Sequence, residues 1–152
     1  MSGKDIVGNE AVSDEITLQT AHDTRPPLIS DVKVEGDIVK VGSGEGDSMA
    51  QLVVSWKTDE LGSSQVVFGE GTGTTYSQKT QEDTNMVNNH LVVISNLVPS
   101  RVYHLKVVSK DEAGNEGESI DTVTITPKAV SSALDLVVTN LSEAFGFLGN
   151  LD

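Results

Sequence analysis

The side chains able to do acid–base or ligand chemistry in this sequence are few and scattered. Histidine occurs three times, as His22, His90 and His104. A zinc-type site needs imidazoles gathered around one ion. His22 lies in a polar connecting stretch, His90 opens one extended run, and His104 points outward from another, so the three are not expected to converge. His90 reads instead as a structural hydrogen-bonding residue at the edge of a core. Serine is plentiful, but a serine nucleophile needs a base and an oxyanion hole, and no Gly-x-Ser-x-Gly or similar strand–turn–helix setting occurs. The stretch "GEGTGTTY", Gly69 to Tyr76, has the glycines of a phosphate loop without its Lys-Ser/Thr ending or a following helix, and reads as a turn between strands. Cysteine is absent, which removes disulfides, thiolate metal sites and a thiol nucleophile. What remains is hard oxygen. Glu35, Asp37, Glu45 and Asp47 share one loop-rich stretch, and Asp23 stands near Asp31. Such donors suit Ca2+, but no Asp-x-Asp-x-Asp-Gly loop organises them. The expectation is a non-enzyme with no cofactor, Ca2+ being the one ion its donors suit.

The formal net charge of −13 agrees with that reading. A field of this sign repels phosphate backbones and anionic lipid, so nucleic-acid binding is not expected. No apolar run approaches the roughly 20 residues that span a bilayer, so membrane insertion is not expected either. "MSGKDIVGNE" has no apolar core of the secretory kind, so any export signal would stand upstream of this sequence. The expected partner is a protein or another copy of the chain.

The elements that would position these groups are strands. "AQLVVSWKTD" sets Leu52, Val54 and Trp56 on one face, "SSQVVFGEG" sets Val66 and Phe68, "HLVVISNL" sets Val92 and Ile94, "RVYHLKVVSKD" sets Tyr103, Leu105 and Val107, and "IDTVTIT" sets Val123 and Ile125. "PLISDVKVEGDIVKV" reads as a strand, a turn at Gly36-Asp37 and a second short strand, and a weak strand is expected near Tyr76 to Thr80. Period-two runs bounded by Gly, Asn, Asp, Ser or Pro are strands. About seven of them at this spacing give an all-β, seven-stranded antiparallel sandwich of the immunoglobulin-like kind. Its expected core comprises Ile29, Val32 or Val34, Leu97 and the inward residues just named.

Trp56-Lys57-Thr58, then Ser64-x-Val66-x-Phe68-Gly69, then His90 to Pro99, then Tyr103, then Ser109-Lys110-Asp111-x-Ala113-Gly114-Asn115 stand in an order that resembles a bacterial fibronectin type III domain. The resemblance covers roughly Pro27 to Pro127 and is closest to the versions found in surface proteins and beside purple-acid-phosphatase-like hydrolases. It implies a sandwich centred on Trp56 and a tyrosine corner in which the Tyr103 hydroxyl bonds a backbone group upstream. Gly114-Asn115 would supply the positive φ of the last hairpin. No Arg-Gly-Asp precedes the last strand, so adhesion through that tripeptide is not implied.

"KDIVGNEAVSDEITLQT", Lys4 to Thr20, repeats "KDEAGNEGESIDTVTIT", Lys110 to Thr126. At an offset of 106 residues Lys4, Asp5, Gly8, Asn9, Glu10 and Ser13 match Lys110, Asp111, Gly114, Asn115, Glu116 and Ser119, and with a one-residue gap Ile16-Thr17-Leu18 match Val123-Thr124-Ile125. That offset is about one such domain plus a linker. The sequence therefore divides into 1–20, the last turn and strand of a preceding repeat; 21–27, a linker; 28–127, the fibronectin type III-like domain; and 128–152, a tail. In the tail, Val130, Leu134, Val137, Leu141, Phe145 and Leu148 recur at spacings of three and four, the signature of an amphipathic helix. A strand without its sheet seeks an edge, and an apolar helix face seeks cover, so Ile16, Leu18, Leu134, Leu141 and Phe145 are the expected partner contacts. The function expected is that of a non-catalytic module of a modular extracellular or cell-surface protein. It would be a spacer, adhesion or assembly unit, able to self-associate through the N-terminal strand or the C-terminal helix. The alternative is an accessory domain of a secreted hydrolase.

Overall fold

Val, Ile, Thr and aromatic side chains at every second position favour the extended backbone because their branched or flat bodies pack well on a pleated surface. The computed structural model describes residues 19–44 and 46–129, and these are all-β and antiparallel. The strands are β1 (Ile29–Lys40), β2 (Ser48–Glu70), β3 (Gln78–Lys79), β4 (Asp83–Leu97), β5 (Val102–Lys110), β6 (Glu116–Glu118) and β7 (Thr122–Ile125). Residues 1–18, with Ile16 and Leu18, lie outside the described part, as do Glu45 and the tail from 130 onward with Leu134, Leu141 and Phe145.

Strand β2 organises the fold. Its first half pairs with β1 on one side, through Val54↔Val34, and with β4 on the other, through Val54↔Val92. Its second half pairs with β5, through Val66↔Val107, and with β3, through Val67↔Lys79. Strand β5 then carries β6 and β7. The buried side chains of both halves of β2 meet in one cluster: Leu52, Val54 and Trp56 with Val66 and Phe68, closed by Ile94, Leu97, Tyr103, Leu105 and Val107. Trp56 is 2% exposed, and its Nε1 donates to Ser109 Oγ at 2.9 Å, so the one polar atom of the ring is satisfied. Truncating a ring buried like this costs about 3–5 kcal/mol.

Three expectations require correction. Gly36-Asp37 is not a turn: β1 runs through both, with Gly36 opposite Leu52 and Asp37 opposite Gln51. The glycine is needed because Pro127 packs over it, and a Cβ there would come within 2.6 Å of the Pro127 ring. Val123 and Ile125 do not face the core; they are 53% and 67% exposed. The register sets Thr124 against Tyr103 and Thr122 against Leu105, which turns the threonines inward. Thr126, also buried, shows why: its hydroxyl donates to Val98 O at 2.6 Å and accepts from Arg101 N at 2.9 Å, tying the last strand to the chain crossing before β5. In β1, Val32 and Val34 share a face and both pack against the core; Ile29, of the other parity, joins them because a register shift between Ser30 and Lys33, with Asp31 at φ 53°, resets the alternation.

Candidate functional site at the linker junction

Among the described residues the densest set of charged and hydrogen-bonding groups outside the core lies where the linker enters the domain. Two strands, a turn and the linker build it. The end of β2's first half contributes Asp59 and Glu60. The turn after β5 contributes Asp111 and Asn115, and β6 contributes Gly117. The incoming linker lies across them. Leu28 N donates to Asp59 Oδ1 at 2.7 Å, and Asp59 N donates to Leu28 O at 3.2 Å. The Arg25 guanidinium sits 3.0 Å from Asp59 Oδ2 and 3.6 Å from Glu60 Oε1. Pro27 is buried, with its carbonyl against Gly117, where any Cβ would collide with it. Asn115 Nδ2 donates to Asp23 O at 2.9 Å.

The turn that receives the linker is itself held by Asp111. Its Oδ1 accepts from Asn115 N at 2.8 Å and its Oδ2 from Asn115 Nδ2 at 2.8 Å, while Gly114, at φ 89°, donates its N–H to Asp111 O at 3.1 Å. Only a residue without a Cβ holds that φ at no steric cost. Burial alone would push the Asp111 carboxyl up, but the hydrogen bonds from Asn115, Gly114 and Ala113 outweigh it and hold the group below the ordinary carboxylate range.

Asp23, Glu60 and Asp111 converge here, their carboxylate oxygens within 4.8 Å of one another, along a shallow cavity of about 480 Å³ also lined by His22 and Leu61. Burial first, and then the neighbouring Asp23, push the Glu60 carboxyl above its ordinary range; Arg25 pulls the other way. The donors of a hard-cation site are therefore present, but much of their capacity is taken. Asp111 is filled by Asn115, Asp23 Oδ1 accepts from Arg25 N at 3.0 Å, and Arg25 stands beside Glu60 as counter-charge. With those oxygens engaged, the three carboxylates leave fewer free than the six to eight that Ca2+ takes. What this arrangement does on its own is grip the linker's guanidinium and amides.

The donor stretch expected around Glu35, Asp37 and Asp47 is not brought to this site, and Asp31 pairs with Lys57 at 3.1 Å rather than with Asp23. Glu60 was missed because it sits on a strand, between runs whose pattern is dominated by the core.

The histidines are occupied elsewhere. His90 is buried and stacked on Trp56, centroids 4.8 Å apart and planes within 5°. Its Nδ1 meets Ser64 Oγ at 2.7 Å and its Nε2 meets Thr58 Oγ1 at 2.9 Å. Ser64 and His90 thus lie in hydrogen-bond contact, but both are buried and both ring nitrogens are used, so the pair serves packing. Its parity with Val92 and Ile94 could have placed the ring inward. His104 faces away from the core, as expected, yet is 2% exposed because Tyr76 covers it, ring centroids 4.8 Å apart. Tyr76 is itself held: its hydroxyl donates to Asp121 Oδ1 at 2.7 Å. Burial, then that bond and the Asp121 charge, push its pKa up to about 12.

No protein-family model matches the chain, and no curated protein matches it.

Proposed function

We propose that the chain is a non-catalytic module of a modular extracellular or cell-surface protein, built as a fibronectin type III-like sandwich and acting as a semi-rigid spacer between its neighbours. The observation that carries this reading is the strapped linker: Asp23 to Leu28 is fastened by Asn115, Asp59 and Glu60 and seated on Gly117. A spacer transmits orientation only if the segment joining it to what precedes is fixed, since an unpinned linker of this length samples many geometries.

The sandwich reading is supported by the division of β2 between two ladders whose buried residues share one core. Further support comes from the corner at Tyr103, whose hydroxyl accepts from Val98 N at 3.2 Å. The tandem reading is supported by what the repeated residues do in their second copy. Asp111, Gly114 and Asn115 form the turn that binds the linker, and Ser119 Oγ accepts from Val107 N at 3.1 Å. Asp5, Gly8, Asn9 and Ser13 repeat that set.

The absence of cysteine allows a clean test. Spin labels on Thr24→Cys and Thr84→Cys, read by pulsed dipolar spectroscopy, are expected to give one narrow distance distribution that broadens when Asn115→Ala and Arg25→Ala are added. A broad distribution in the otherwise unaltered chain would contradict the spacer reading. Turnover of an ester, phosphoester, glycoside or peptide substrate would contradict its non-catalytic part.

A further inference from the structure

The ladder formed by β1, the first half of β2 and β4 has two edges, and they are built differently. Edge strands expose a row of N–H and C=O groups, and proteins guard such rows with charge, bulges or short length. Strand β1 is guarded: Lys33, Glu35 and Asp37 alternate along its outward positions, and the strand is irregular between Ser30 and Lys33. Strand β4 pairs only with β2 among the described strands, yet from Thr84 to Ser100 it and its following loop carry no charged residue, in a chain of net charge −13. Leu91 and Val93 project outward from it, 66% and 44% exposed.

We propose that β4 is a self-pairing edge: two copies of the chain join β4 to β4, antiparallel, about a two-fold axis at Val92, making one continuous sheet of the two β1–β2–β4 ladders. Charge commits the occupant to a second copy, and the alternation of β4 sets the register. Two chains that each carry −13 repel, and the approach of least Coulomb cost is through a segment without charge. The register follows from the alternation. Asn89, Leu91, Val93 and Ser95 are exposed, His90 and Ile94 are buried, and Val92 lies between them. A two-fold at Val92 sets Leu91 against Val93 of the second copy, the His90 position against Ile94, and Asn89 against Ser95, so each face meets its like. An axis placed between two residues would set inward side chains against outward ones. The shift in register between Ala50 and Leu52, with Asn96 at φ 61°, ends the pairing segment on the C-terminal side.

Sedimentation equilibrium of the full chain over a range of concentrations, at low and high salt, tests this. A reversible monomer–dimer equilibrium is expected, and it should tighten as salt screens the net repulsion. Val93→Lys should raise Kd by about tenfold or more, since two like charges would face each other's strands across the seam. Lys33→Val, on the opposite edge, should leave Kd unchanged at high salt, where the lost charge is screened. Trp56 fluorescence confirms that each variant folds. Amide exchange of the unaltered chain needs no variant: protection of the amides within Leu91–Val93 that point away from β2 should rise with protein concentration. A monomer at every concentration and salt, or a dimer indifferent to Val93→Lys, would overturn the proposal. So would strong, concentration-independent protection of those outward-pointing amides, which would mean that another segment of the same chain covers the edge.

Discussion

Asn115 and Asp23 are joined by a hydrogen bond that spans 92 positions of the chain: the carboxamide Nδ2 donates to the Asp23 carbonyl at 2.9 Å. The second hydrogen of the same nitrogen goes to Asp111 Oδ2 at 2.8 Å. One side chain thus closes the turn and holds the linker, so the geometry of the turn sets the path by which the chain enters the domain.

Asn115→Ala removes both side-chain bonds and leaves Asp111 short of a donor. A loss of about 1–2 kcal/mol is expected from two such bonds, read as a lower urea midpoint at unchanged m-value. Unchanged stability would mean that the turn is held by its backbone alone.

Gly117→Ala places a methyl group against the Pro27 carbonyl. Because the obstacle is backbone, the linker has to shift, at a cost of about 1–3 kcal/mol. The expected signature is loss of protection at the Leu28 amide, which otherwise donates to Asp59. Thermal melting and amide exchange together check it: a destabilised variant that keeps Leu28 protected would place the strain elsewhere.

Glu60 carries a pH signature. Its pKa in the fold is raised above the ordinary 4.5, so the fold prefers the neutral acid. The associated stability is present at low pH and is lost as pH rises through the folded value. Glu60→Gln is therefore expected to raise the melting temperature at pH 7 and to make no difference once wild-type Glu60 is protonated. A variant less stable than wild type at pH 7 would show that the Arg25 pairing outweighs burial.

His90 has the opposite slope. Burial lowers its pKa below the ordinary 6.5, so the unfolded chain binds a proton that the folded chain resists. Stability should fall as pH drops below about 6.5 and level off below the folded value. His90→Gln should cost about 1–3 kcal/mol at neutral pH through lost bonds to Ser64 and Thr58 while flattening the acid limb. Denaturant midpoints from pH 8 to pH 4 check both.

The parts of the fold that could be read from the sequence are those where one face alternates cleanly. Leu52, Val54 and Trp56, Val66 and Phe68, and Tyr103, Leu105 and Val107 are all buried as their period requires. The pattern failed where a hydroxyl took an apolar residue's place. On β7 the inward positions are Thr122 and Thr124, so Val123 and Ile125 looked like core and are not. It also failed at Gly36, where close packing of Pro127, not a turn, demands the glycine. The first part of β4 was unreadable because "DTNMVNN" carries turn-forming residues inside a strand fixed by its partner β2. The linker site was half legible. The repeated Asp-x-x-Gly-Asn pointed to the turn, but nothing local in the sequence says that Glu60 and Asp23 meet Asp111. Ile16, Leu18, Leu134, Leu141 and Phe145, the partner contacts expected from the sequence, lie outside the described residues.

The central claim is that the linker belongs to the rigid body of the domain. Backbone 15N relaxation of the full chain measures this directly at Asp23, Arg25 and Leu28. The account predicts order parameters of about 0.85 at Arg25 and Leu28, equal to those of β2 and β5. They should fall selectively there in Asn115→Ala. Values below about 0.6 at these amides in the unaltered chain, the range of a flexible segment, would contradict it.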